Sequence, residues 1–430
     1  MTTVAQLTQT LQPLFTTTAD ELARRTGCVP RRSKLSGALF AQALVFGWLA
    51  KAQASRENLA QAAAAVGVAI SPQGLDQRCG EAAAAFREAL RGAAVQAVIA
   101  AEPVAIPLLQ RFSAVMLRDC TTIVLPAALG PWWPGCGGSS ATHTPAALKV
   151  GVRFDLCHGA LRGPRLFEGR THESTTAVPT APLPPRARRV ADLGFFDREV
   201  LAQSAAQDSY WRSRLHLGTA VYDATGRRWD VVALLAAQGT AQVDLPVRLG
   251  VQQRLPARLL AVRVPQEVAD QRRRRLRAAA RDRGRSPRAA RRACCEWTIF
   301  GTHVPPDLLR RREALVRARA RWPVELLFKR WKNHGQIDES RRRKPWRVRT
   351  AVYAQLLAMV VHHGLLLTGC WRDPDRSLVK AAQTVRQHAL HLARALACPT
   401  FLSQAIGVSH RCLAAGCRLN RRKTKPNTYQ

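Results

Sequence analysis

Residues 114–125 read AVMLRDCTTIVL, a β-rich run that follows about one hundred residues of alanine-rich, helical sequence. Asp119 lies in the middle of this run. Aspartate is depleted in strands and costly to bury, so its presence here needs a reason. Taken alone, Asp119 is either a structural residue or one member of a catalytic site. The strands and carboxylates that follow it decide between these roles.

Four further strands and one helix are predicted before residue 217. The strands are 148–156, 160–167, 189–191 and 210–215, and the helix is 197–207. A tight turn at 157–159 joins the first two of these strands. Three strands followed by strand, helix and strand is the order expected of a ribonuclease-H-like mixed sheet. Asp192 ends the short strand, and it is either a ligand residue at a strand end or the cap of the next helix.

Residues 218–298 do not simply continue this pattern. They predict antiparallel strands followed by a very basic helix, at 221–230, 232–236, 241–249, 258–264 and, for the helix, 272–292. The helix holds eleven Arg against one acid, Asp282. Arg273 and Arg277 are its candidate contacts to the DNA backbone. The alternative is a solvated helix whose charge reflects the codon bias of a GC-rich genome.

The N-terminal residues predict a pair of short helices. Ser55 can cap a helix over 56–66, and Ser71 can cap a second one with Pro72 at its first position. This arrangement is typical of a helix-turn-helix DNA reader, and also of an ordinary helical hairpin. In a DNA reader, the second helix would present three side chains to DNA: Gln73, Gln77 and Arg78.

Composition points to a nucleic-acid partner. The chain carries 66 Lys and Arg against 29 Asp and Glu, a formal charge of +37 that a polyanion would neutralise. No secretory signal is evident, and none of the 11 Cys forms a CxxC pair, which predicts reduced thiols in a cytoplasm. The apolar segment 35–50 is short for a bilayer and predicts a buried core helix, so no membrane partner is expected.

The sequence ARWPVELLFKRWK at 320–332 carries a third carboxylate, Glu325. Arg321, Lys329 and Lys332 share its helical face. Taken alone, this face favours a solvated stripe of charges with an intrahelical ion pair. Together with Asp119 and Asp192, Glu325 completes a set of three carboxylates that can hold two divalent cations about 4 Å apart. Magnesium suits such oxygen ligands, with Mn²⁺ as a substitute, and Arg321 and Lys332 could bind the phosphates beside the scissile bond.

At these residues the chain resembles the DDE transposases of bacterial insertion sequences, in the insertion-sequence-four group, over about residues 20–380. That group has a signature of Tyr, two residues, Arg, three residues, Glu, six residues and Lys. Arg321, Glu325 and Lys332 keep its spacing. LRDCTTIVLP at 117–126 is similar to the first-Asp strand of the family, and VADLGFF at 190–196 to its second-Asp segment.

The chain departs from the family pattern in several places. Ala318 stands at the signature Tyr, Pro323 replaces a helix-favouring residue, and His172 and Glu173 stand where the family often has Asp. GTHVP near residue 301 stands where the family has a Thr-Asn-x-Pro turn. These changes leave the three carboxylates in place.

The resemblance implies a fold, a reaction and partners. The expected fold is α/β: a ribonuclease-H-like mixed-sheet catalytic domain with an inserted antiparallel β subdomain and an N-terminal helical domain. The expected segments are a DNA-binding domain (1–110), the first catalytic part (111–217), the β insertion (218–298), the second catalytic part (299–370) and a basic C-terminal region (371–430). In the reaction that the resemblance implies, metal-bound water first nicks the transposon end, and the freed 3′ hydroxyl then attacks a phosphodiester in line.

The implied partners are double-stranded DNA, both terminal inverted repeats and target, and a second copy of the chain on paired ends. Two rival functions stay open. A decayed, non-catalytic end-binding protein or repressor would share the charge and the helix pair, but it would not need converging carboxylates. A simple nuclease of the same fold would cut DNA without joining it.

Overall fold

A computed structural model describes residues 4–31, 33–97, 106–136, 144–173, 183–191, 193–282, 284–316, 332, 337, 340, 342–370 and 376–418. The helices of this part are α1 (Val4–Leu14), α2 (Thr17–Arg25), α3 (Gly37–Ala50), α4 (Arg56–Ala65), α5 (Pro72–Gln77), α6 (Glu81–Gln96), α7 (Arg198–Ala206), α8 (Val231–Ala237), α9 (Gln266–Arg281), α10 (Ala289–Ala293), α11 (Arg311–Val316), α12 (Pro345–Cys370), α13 (Leu378–Ala395) and α14 (Pro399–Gly416). The strands are β1 (Val115–Leu125), β2 (Ala146–Asp155), β3 (Leu161–Glu168), β4 (Arg188–Ala191), β5 (Tyr210–Arg214), β6 (Val221–Tyr222), β7 (Arg228–Trp229), β8 (Gln242–Leu249), β9 (Leu255–Arg263) and β10 (Trp297–Thr302).

The strands form one mixed sheet in the order β3-β2-β1-β4-β5-β10-β9-β8-β6-β7. β1 pairs antiparallel with β2 and parallel with β4, and β4 pairs parallel with β5. The five strands predicted between residues 114 and 215 are confirmed, each within two residues at its ends. The strands of the 218–298 region extend this sheet, because β10 pairs antiparallel with β5 and with β9.

The two faces of the first three strands differ in chemistry. Leu117 and Ile123 of β1 and Val152 of β2 share one face, which packs into the large core formed with the N-terminal helices and α12. Arg118 and its partner Arg153 lie on the opposite face, which we call the polar face. This division follows from the period of two along each strand, which sends successive side chains to opposite sides.

The helical part of the large core includes two long apolar helices, α3 and α12. Twelve of the fourteen residues of α3 are buried, which confirms the core helix predicted at 35–50. α12 is long and apolar enough to cross a membrane by length and composition, but 94% of its apolar stretch is buried inside the protein. Such burial is what a core helix of a folded domain shows. All eleven cysteines are described, and none forms a disulfide.

Local capping fixes the N-terminal helix pair as predicted. Ser55 Oγ accepts from the Asn58 N–H at 3.2 Å, and Asn58 Oδ1 accepts from the Ser55 N–H at 3.2 Å, which closes a capping box at α4. Ser71 Oγ accepts from the Gly74 N–H at 3.0 Å, and Pro72 lies in the first turn of α5. Both caps satisfy backbone donors that would otherwise face solvent.

Three predictions in the 218–298 region were wrong. Residues 232–236 form α8 rather than a strand, because Asp230 Oδ1 accepts from the N–H groups of Val232 at 2.9 Å and Ala233 at 3.1 Å and caps a helix. The run 221–230 is a hairpin of β6 and β7 rather than one strand. The basic helix 272–292 is two helices, α9 and α10, separated by Gly284 at φ +60°, which a continuous helix cannot contain.

Candidate active site

Asp119 lies near the middle of β1, on the face that packs against the large core. Leu117 and Ile123 on that face are buried, whereas Asp119 is half-buried. The Cys120 N–H donates to Asp119 Oδ1 over 2.9 Å. The carboxylate is therefore oriented at the border of the apolar layer, where it can still reach solvent.

The end of β4 lies beside this part of β1. Ala191, the last residue of β4, is opposite Arg118 in the parallel pairing. Asp192, the next residue in the chain, lies outside the described residues. The chain resumes as a single 3-10 turn over Leu193–Phe195, and the guanidinium carbon of Arg118 lies 4.7 Å from the centroid of the Phe195 ring. The structure thus brings both segments that flank Asp192 to the strand that carries Asp119.

Glu173 is a carboxylate at this place that was not among the predicted site residues. A Cβ added to Gly194 would lie 2.1 Å from Glu173 Oε2, so the Glu173 carboxylate occupies the space beside Gly194. The backbone oxygen of Glu173 accepts from Arg118 at 3.4 Å. Burial lowers the pKa of Arg118, and the charge of Glu173 opposes that shift. The one sequence signal for this residue was its position after the third strand, where the family often has Asp.

The third predicted carboxylate, Glu325, lies in the segment before Lys332. Glu325, Arg321 and Lys329 lie outside the described residues, whereas Lys332 is described and is helical and half-buried. The convergence of Asp119, Asp192 and Glu325 therefore stays a prediction. Within the described part of the chain, no group of three or more His, Cys, Asp or Glu could hold a metal ion. Two of the three predicted ligands lie outside that part.

Two arginines fix the chain that leads into the predicted Glu325 helix. Arg258 of β9 donates to the backbone oxygens of Val304 at 2.7 Å and Leu309 at 3.1 Å. Arg111 makes a bidentate ion pair with Glu313 of α11, at 2.9 and 3.0 Å. Bidentate guanidinium contacts fix direction as well as distance. These contacts therefore fix the position of the chain between β10 and α11, which precedes the predicted Glu325 helix.

His303 belongs to the same approach and is held neutral. The Trp211 N–H donates to His303 Nδ1 over 3.2 Å, and the two rings stack with centroids 5.3 Å apart. Burial lowers the pKa of His303 to about 4. A neutral ring is required because Nδ1 accepts the bond from the backbone.

We expect His303 to make stability depend on pH between about 4 and 6.5. The unfolded histidine titrates near 6.5, so the unfolded chain binds a proton in this range that the folded chain does not. Stability should therefore fall as pH falls from 6.5 towards 4. His303→Asn should reduce the loss of Tm between pH 7 and pH 5 by about 2–4 °C. An equal loss of Tm in the two proteins would show that His303 is not responsible.

The candidate DNA-reading side chains of the helix pair are all at the surface. Gln73, Gln77 and Arg78 are exposed. α5 is only six residues long, and Arg78 lies just beyond its end. The surface position is what a DNA contact needs, and the DNA contact itself stays a prediction.

The two predicted arginines of α9 have different surroundings. Arg273 is half-buried and pairs with Asp270 at 2.8 Å and Glu296 at 2.5 Å, which raises the pKa of its guanidinium. Its neighbour Arg272 donates to the backbone oxygen of Trp297 at 2.9 Å. These two side chains attach α9 to β10. Arg277, by contrast, is exposed.

We expect the exposed arginines of α9, rather than Arg273, to carry any contact to DNA. Replacing Arg274, Arg275, Arg277 and Arg281 with Gln should flatten the plot of log binding constant against log salt by up to roughly 0.9 per lost phosphate contact. Arg273→Gln is the control, because it should lower Tm through two lost ion pairs and leave the slope unchanged. An unchanged slope in the fourfold variant would mean that α9 does not touch DNA.

Comparisons with known proteins add to this geometry. The family model described as the transposase DDE domain matches residues 113–361, a span that begins just before β1 and ends within α12. The chain is 24% identical over 379 residues to the transposase for insertion sequence element IS231B of Bacillus thuringiensis subsp. berliner, covering 83% of this chain and 78% of that protein.

Two further relatives come from the same species. The transposase for insertion sequence element IS231F of Bacillus thuringiensis subsp. israelensis is 24% identical over 379 residues, with 83% of this chain and 78% of that protein covered. The transposase for insertion sequence element IS231D of subsp. finitimus is 24% identical over 363 residues, with 79% and 75% covered. The similarity to these relatives extends over most of the chain, and it is longer than the span 113–361 that the family model matches.

Proposed function

Because the chain belongs to the transposase DDE domain family, we propose that it cleaves DNA at the ends of an insertion sequence and joins the freed strands to target DNA. The observation that carries the proposal is the family match over residues 113–361, which contains all three predicted carboxylates. We assign the chain to the insertion-sequence-four group on the spacing of Arg321, Glu325 and Lys332.

Asp119, Asp192 and Glu325 are the proposed catalytic carboxylates, on a ribonuclease-H-like sheet. The pairing of Arg118 with Ala191 supports this, because one step further along each chain leads to Asp119 and to Asp192. The oxygen donors fit Mg²⁺, and Asp119 is half-buried yet reaches solvent. When bound, two such ions would activate the attacking oxygen and stabilise the leaving one. Glu173, beside Gly194, is placed to adjust the charge around these residues.

The cationic residues of the Glu325 helix have a positioning role in this proposal. Arg321, Lys329 and Lys332 share the face of Glu325, so they lie within one or two helical turns of it by sequence. They hold the phosphates that flank the scissile bond without reading bases. Arg321 contributes a planar fork that lysine cannot replace.

The proposed partners are double-stranded DNA, as terminal repeats and as target, and a second copy of the chain on paired ends. The exposed Gln73, Gln77 and Arg78 are proposed to contact the terminal repeat. The proposed location is the bacterial cytoplasm, where the DNA is. The net charge of +37 suits a protein that acts while bound to a polyanion such as DNA.

The test is a cleavage and joining assay with purified protein, Mg²⁺ and DNA that carries the ends of the element. We expect nicks at the element ends and joined products, both lost when the metal is chelated. Nicks without joined products would favour the nuclease, and tight end binding without nicks would favour the decayed, binding-only protein.

A further inference from the structure

Three arginines lie in one row across the polar face of the sheet. Arg118 of β1 is directly opposite Arg153 of β2, and Arg153 is directly opposite Arg162 of β3. Directly paired residues point to the same face, and neighbouring strands are about 4.8 Å apart. Arg189 of β4 flanks the row, since it is opposite Met116, two residues before Arg118. We call Arg162, Arg153 and Arg118 the arginine row.

The arginine row places like charges opposite one another across neighbouring strands. Like charges that face each other across strands destabilise a sheet. Arg153 is only 7% exposed, and burial together with the charges of Arg162 and Arg118 lowers its pKa to about 10. Burial and the charges of Arg118 and Arg153 likewise lower the pKa of Arg189 to about 10. With pKa values of about 10, Arg153 and Arg189 still carry their charges at neutral pH, so like charges face each other at the centre of the row.

Among the described residues, the carboxylates near the row act on Arg118 and on Arg189 rather than on Arg153 at its centre. Glu173 acts on Arg118, at one end of the row. Asp197 acts on Arg189, but its Oδ1 already accepts from the N–H groups of Glu199 at 3.0 Å and Val200 at 3.4 Å at the start of α7. In the described part of the chain, Arg153 at the centre of the row has no ion-pair partner.

We propose that the arginine row binds the phosphodiester backbone of DNA on the sheet face opposite to Asp119. Three cations over two inter-strand spacings, about 10 Å, extend further than one phosphate group and suit a polyanion. Guanidinium groups bind phosphate oxygens through planar, charge-assisted hydrogen bonds, which would replace repulsion by attraction. The site reads no bases, because phosphate contacts carry no sequence information.

The direction of the row connects it to the candidate active site. Arg162 is exposed on the edge strand β3, Arg153 lies inside, and Arg118 stacks on Phe195, three residues after Asp192. A DNA strand held along the row would therefore lead from the sheet edge to the segment after Asp192. This inference rests on the proposed function, and it adds a backbone-binding surface separate from the Glu325 helix and from α9.

The experiment uses the full chain and a 30-base-pair duplex unrelated to the element. The double variant Arg153→Gln, Arg162→Gln should flatten the plot of log binding constant against log salt by about 1–2, since each lost phosphate contact removes roughly 0.9 from the slope. Without DNA, the same variant should have a Tm equal to or above that of the natural protein, because repulsion is relieved. A merely structural role for Arg153 would instead lower Tm and leave the slope unchanged.

Three companion variants keep the result interpretable. Arg153→Lys retains the charge and should retain the slope. Arg162→Gln alone changes an exposed residue and should lower the slope by about 0.9 with folding intact. Arg227→Gln with Arg228→Gln removes two exposed charges at the far end of the sheet and should change neither quantity.

Unchanged slopes in both Arg162→Gln and the double variant would overturn the proposal, as would a natural protein that does not bind the duplex. A different result would contradict the proposed function. If the chain binds the duplex through the row but does not cleave element ends with Mg²⁺, the arginine-row proposal is supported and the proposed transposase activity is contradicted.

Discussion

Asp119→Asn is expected to reduce cleavage of element ends by about a thousandfold while DNA binding changes little. Asparagine keeps the size of the side chain and removes the negative charge that would hold a cation. Loss of several kcal/mol of transition-state stabilisation corresponds to about three decades in rate. Affinity should survive, because the Arg and Lys contacts to phosphates supply most of it. The measurement is single-turnover nicking of labelled ends in Mg²⁺, with binding measured on the same DNA.

Glu325→Gln is expected to behave in the same way, since both carboxylates are proposed ligands of the same ions. Asp208→Asn is a matched control: it makes the same chemical change between α7 and β5, at φ +51°, where asparagine is well tolerated. It should cleave at the natural rate. Full cleavage by Asp119→Asn, in a protein with normal Tm, would remove this residue from the active site.

Trp211→Ala is expected to lower the free energy of unfolding by about 3–5 kcal/mol, the usual cost of emptying a large buried aromatic site. Trp211 is fully buried in a smaller core, separate from the large one, which the second half of the sheet forms with α8 and which includes Leu234 and Leu259. Its ring packs against Gly301, where an added Cβ would lie 3.4 Å from the indole, and stacks on His303. Its loss should therefore loosen β10 and the chain that leads to the Glu325 helix.

Trp211→Phe distinguishes the effect of lost ring volume from the effect of the lost indole N–H. Among the described residues, the buried Trp211 Nε1 has no hydrogen-bond partner, so phenylalanine removes an unsatisfied donor along with part of the ring. The cost should be clearly smaller than that of alanine. Unfolding in urea, followed by fluorescence and circular dichroism, gives both values. Equal, small losses for the two variants would mean that the site collapses around any residue and does not position β10.

Local sequence signals were sufficient for the first half of the sheet and for the caps of the N-terminal helix pair. The run at 114–125, the short strand that ends at Ala191 and the caps at Ser55 and Ser71 depend on alternation, turn residues and side-chain acceptors within a few positions. Short apolar runs were ambiguous. VVALLAA at 231–237 fits a strand or a helix by its apolar pattern, and the side-chain cap at Asp230 decides for the helix.

What the sequence by itself determined is therefore the family signature, the three carboxylates as candidates, and the elements whose causes are local. Only the tertiary structure decided that the strands after residue 218 extend the first sheet, that Glu173 lies beside Gly194, and that Arg162, Arg153 and Arg118 form one row. The physical reason is register. Pairing between strands far apart in the chain depends on the whole set of buried faces, and a shift of one residue would turn every one of these side chains to the other face of the sheet.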